Sequence, residues 1–68
     1  MENAMGVTLN EAEAEVVEAY RKLEAVLRDR ADELPPFARR NAAKALAALW
    51  QVMNGLDMDP GQPYDLGV

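Results

Sequence analysis

The chemically capable side chains of this chain are few and mostly of one kind. Carboxylates dominate, joined by Lys22, Lys44, five arginines, Tyr20 and Tyr64, while cysteine, histidine and serine are absent and Thr8 is the single threonine. That inventory excludes several mechanisms at once. No Ser-His-Asp or Cys-His constellation can be assembled, no imidazole is present to move protons near neutral pH, and no serine can carry a phosphopantetheine arm. Disulfides and the thiolate and imidazole ligands of zinc are missing for the same reason.

What chemistry remains would be electrostatic. Arg39 and Arg40 fall in the first turns of a predicted helix, where backbone N–H groups and the helix dipole favour an anion. They form a candidate anion site, and Glu24 or Tyr20 are the groups that could transfer a proton beside it. An enzyme of this kind would be a small helical protein holding a phosphorylated or carboxylated substrate between protomers. The plainer reading pairs the two arginines with Asp32, Glu33 or Glu24 on a solvated surface. Asp57, Asp59 and Asp65 are spaced only loosely like a calcium loop, and the other oxygen ligands and the closing glutamate are lacking. No catalytic residue, metal or cofactor is therefore assigned.

Charge sets a further bound. Twelve acidic residues against seven basic give a net charge of -5, which disfavours a polyanionic partner such as nucleic acid. All seven basic residues lie between Arg21 and Lys44, so the middle of the chain is basic and both flanks are acidic. The flanks, Glu11 to Glu18 and Asp57 to Asp65, could mask a basic partner, as an acidic antitoxin or inhibitor would. No apolar run follows the acidic N-terminus and none reaches membrane length, so the expectation is a cytoplasmic protein with no membrane contact.

These groups must be positioned by helices. Thr8 and Glu11 have capping-box spacing, and Leu9, Val16, Tyr20, Leu23, Leu27 and Leu34 recur on one helical face, predicting a helix over residues 8–33 preceded by a frayed arm. Pro35 and Pro36 then act together. The residue before a proline avoids helical geometry, so Leu34 leaves the first helix, while proline is at home in the first turn of the next. A second helix is predicted over 36–54, ended by Gly55 in the left-handed conformation. Residues 56–68 hold Pro60, Gly61 and Pro63, which exclude a continuous helix, and form an extended tail.

The fold class expected is all-α: an antiparallel two-helix hairpin with an extended C-terminal tail. The second helix is apolar over about half its circumference, more than one neighbour can cover. Two hairpins are thus expected to dimerise into a four-helix bundle, with Leu46, Leu49, Trp50, Met53 and Arg39 at the interface. Tyr64, Leu66 and Val68 alternate and would suit a second, peptide-like contact with a larger protein. The function expected is a non-catalytic interaction module, an accessory or adaptor subunit. A helix-turn-helix reader would need a third helix and a basic surface, and an acyl carrier protein would need its serine.

Overall fold

The computed structural model describes residues 1–58, and the predicted tail contact at Tyr64, Leu66 and Val68 lies outside them. Two α-helices, α1 (Glu11–Asp29) and α2 (Pro36–Gly55), are joined by a single 3-10 turn at Ala31–Glu33. The all-helical hairpin is as expected, but α1 is shorter at both ends than residues 8–33. With 19 and 20 residues the helices match, each about 30 Å long.

Asn10, not Thr8, caps α1. Its Oδ1 accepts from the Glu13 N–H at 2.8 Å, and Glu13 Oε1 accepts from the Asn10 N–H at 2.9 Å. Two orphan amides are thereby satisfied, an arrangement that contributes about 1 kcal/mol. The later start frees Leu9 to turn inward, where it is buried.

At the other end the Arg30 N–H closes α1 onto the Val26 carbonyl at 2.7 Å, and the chain tightens into the 3-10 turn. Arg30 spans that turn with a two-pronged contact to Glu33, Nε to Oε2 at 2.8 Å and Nη2 to Oε1 at 3.0 Å. Leu34 is extended, with φ -104° and ψ 140°, as its position before Pro35 requires. Pro36 then opens α2 at a place where its missing N–H leaves nothing unpaired.

Gly55 does not end α2 in a left-handed conformation; it is the last helical residue. Asp57 takes that role with φ 58°. The Met58 N–H reaches the Met53 carbonyl at 2.9 Å and the Asp57 N–H reaches the Asn54 carbonyl at 3.0 Å, the paired bonds of a Schellman motif. Leu56 and Met58 pack against the core, which explains why the stop lies two residues beyond the glycine.

Residues 1–7 are not a frayed arm. Asn3 Oδ1 accepts from the Met5 and Val7 amides, each at 2.9 Å, and folds the segment into a turn through Gly6, whose φ of 79° suits glycine. Asn3 Nδ2 donates to the Leu56 carbonyl and the Ala4 N–H to the Asp57 carbonyl, both at 2.9 Å. The start of the chain is thus clasped to the end of α2, which fixes the helices as antiparallel. Between them lies a narrow core of Leu9, Val17, Tyr20, Leu27, Leu46 and Met53. Among the described residues no helix is long and apolar enough to cross a membrane.

Candidate interaction surface

The core residues define two sides of the hairpin. In a helix, the residue before a core position lies 100° to one side and the residue after it 100° to the other. In an antiparallel pair of right-handed helices, equal displacements in the same rotational sense emerge on the same side of the pair.

Applied to the five helical core residues, this separates two sharply different faces. The preceding residues are Val16, Ala19, Val26, Ala45 and Val52, every one apolar. The following residues are Glu18, Arg21, Arg28, Ala47 and Asn54, of which four are polar. Leu23 and Leu49, both half-buried, lie beside the first set and close the gap between the helices. One broad side of the hairpin is therefore an apolar face, on which Val52 remains 41% exposed and Ala19 and Ala45 are exposed.

The residues expected at an interface divide differently. Leu46 and Met53 are 0% and 1% exposed, held in the core inside the single hairpin. The core face of α1 centres on Val17 and Tyr20 and takes the middle of the broad α2 stripe. Leu49 and Trp50 are half-buried on opposite shoulders of that stripe, Leu49 on the apolar side. Arg39 is exposed, as is Arg40, and neither forms an ion pair with another described residue. Sequence reasoning missed Val16, Val26 and Val52 as a shared surface. Their signal was the register of apolar residues one place before each core position, which needs the core to be known first.

The groups weighed for proton transfer are engaged with one another. The Glu24 carboxylate accepts from the buried Tyr20 hydroxyl and also from Arg28 Nη1 at 3.5 Å, successive turns of one helix. Burial raises the Tyr20 phenol above its ordinary value, and the charge and hydrogen bond of Glu24 raise it further. Arg30, bonded to Glu33, holds that exposed carboxyl below the usual range. Among the described residues no group of three or more carboxylates, histidines or cysteines is placed to hold a metal ion.

The class that the fold defines is a short antiparallel helical hairpin with one apolar and one polar broad face. Comparison with protein-family models, curated proteins and solved structures gives no match for the chain.

Proposed function

We propose that this protein is a non-catalytic interaction module that self-associates as a homodimer, its paired hairpins forming a four-helix bundle, and serves as an accessory or adaptor subunit for a larger protein. The observation that carries the reading is the shoulder of Val16, Ala19, Val26, Ala45 and Val52, all apolar, while four of the five matching positions on the opposite side are polar. Val52, 41% exposed beside the exposed Ala19 and Ala45, is apolar surface that favours covering by another chain. The core of a single hairpin is thin, and small domains without disulfides or metals commonly gain stability by association. An antiparallel hairpin presents two parallel rods to a partner, and alanine on both allows close approach. The tail residues Tyr64, Leu66 and Val68 would supply the second contact, with the larger partner.

Sedimentation equilibrium of the full chain at low micromolar concentration tests the reading. A dimer is expected. A monomer that melts in one cooperative transition would refute self-association, and with it the four-helix bundle.

A further inference from the structure

We propose that Asn54 is a site of spontaneous deamidation, held closed in the folded protein by the clasp between the start of the chain and the end of α2 and opened when that clasp lets go. The inference needs no partner and stands apart from self-association.

The sequence sets the chemistry. Asn3 and Asn41 precede alanine and Asn10 precedes glutamate, whereas Asn54 precedes Gly55. Glycine has no Cβ to obstruct attack by its own amide nitrogen on the side chain before it. The Gly55 nitrogen gives up its proton and bonds to Asn54 Cγ, and the side-chain NH2 takes up a proton and leaves as ammonia. One water then opens the five-membered succinimide. Breaking the bond from nitrogen to Cγ yields aspartate, and breaking the bond from nitrogen to the main-chain carbonyl carbon yields isoaspartate. The exchange consumes one water, releases one ammonia and involves no change of oxidation state.

The structure combines access and restraint at these two residues. Asn54 and Gly55 are exposed, and a Cβ added at Gly55 would meet nothing within 4 Å, so water reaches them. Both are nevertheless helical, and ring closure requires the Asn54 ψ angle to turn far from the helical value of about -42°. Rotation about that bond carries the following residues with it. It parts the Leu56 N–H from the Val52 carbonyl and the Met58 N–H from the Met53 carbonyl, each at 2.9 Å, and draws Leu56 and Met58 off the core. The bonds from Asn3 Nδ2 to the Leu56 carbonyl and from the Ala4 N–H to the Asp57 carbonyl oppose the same rotation.

Reaction then makes the opening permanent. Aspartate adds negative charge to the last turn of α2, where the helix dipole disfavours it. Isoaspartate routes the backbone through the side chain and lengthens it by a methylene, so the closed turn does not re-form.

The full chain, its Asn3→Ala variant and an unstructured peptide spanning residues 51–57 are incubated in mildly alkaline buffer. Mass spectrometry and chromatography of digests count aspartate and isoaspartate at position 54. The peptide should react fastest and the parent at least about tenfold more slowly, with Asn3→Ala at least about fivefold faster than the parent, since each net hydrogen bond lost from the closed state enlarges the open population by that order. Asn41, inside α2, should stay intact. In about 1 M urea the parent's rate should change by less than about twofold, because local opening exposes little surface, whereas a route through global unfolding would speed it about fivefold or more. The urea comparison needs no variant, so it decides the matter even where Asn3→Ala fails to fold. A parent as fast as the peptide, a folded Asn3→Ala no faster than the parent, no product at Asn54 once the peptide is consumed, or the fivefold rise in urea would each overturn the proposal.

Discussion

Replacing Asn3 with alanine should destabilise the protein far more than its place near the chain terminus suggests. The side chain makes three hydrogen bonds: two accepted from the exposed Met5 and Val7 amides, and one donated to the half-buried Leu56 carbonyl. Water can replace the first two, so each contributes about 0.5 kcal/mol, while the third contributes about 1 kcal/mol. The sum is about 2 kcal/mol, if the Ala4 to Asp57 bond survives the loss. A domain of this size shifts its melting temperature by about 4 to 8 °C for each kcal/mol, so a fall of roughly 8 to 16 °C is expected. Thermal melting followed at 222 nm at fixed protein concentration gives the number. Amide exchange supplies the local check, because the Ala4 N–H should lose protection when the turn that aims it at Asp57 opens. A melting temperature within about 2 °C of the parent would refute the reasoning, since it would mean that the clasp contributes nothing to the hairpin.

Two further substitutions test separate parts of the fold. Gly55→Ala should stabilise the protein by about 0.5 to 1 kcal/mol, read from denaturant unfolding, because Gly55 is helical and an added Cβ meets nothing within 4 Å. Tyr20→Phe should remove an alkaline loss of stability. The folded-state value of the Tyr20 phenol is raised, so its contribution is complete below the unfolded value near 10 and is lost as pH climbs through the folded value. Melting temperatures between pH 9 and 12 should therefore fall more steeply for the parent than for the phenylalanine variant.

Much of this architecture was legible in local signals, and its departures have local causes. The proline pair separates the helices as expected because its restrictions are steric and need no tertiary context. The start of α1 was ambiguous, since Thr8 with Glu11 and Asn10 with Glu13 have the same capping spacing. Leu9 decides between them: it is buried only when the helix begins after it. The face that α1 turns to α2 buries Val17 fully and leaves Val16 on the shoulder. At the far end, asparagine followed by glycine resembled a stop, but packing of Leu56 and Met58 carries the chain two residues on. The clasp was illegible because the bonds from Asn3 and Ala4 cross more than fifty residues. The apolar shoulder was the least legible part, because apolar periodicity marks what is covered without saying by what.

The alanines of α2 sharpen that last point. Alanine is the strongest helix former and would be favoured along a helix with little core to hold it. Helix propensity alone would place alanine without regard to face, and the exposed Ala47 on the polar side is explained by it. It does not explain why the shoulder shared with α1 also carries Val16, Val26 and Val52, since β-branched residues form helices less readily than alanine. Valine on a half-exposed helical shoulder is favoured where its methyl groups are removed from water, and each buried methylene contributes about 0.8 kcal/mol. Small and β-branched residues thus combine on one side of the hairpin, the small ones setting close approach and the branched ones supplying apolar area. That combination suits a second pair of helices better than it suits water.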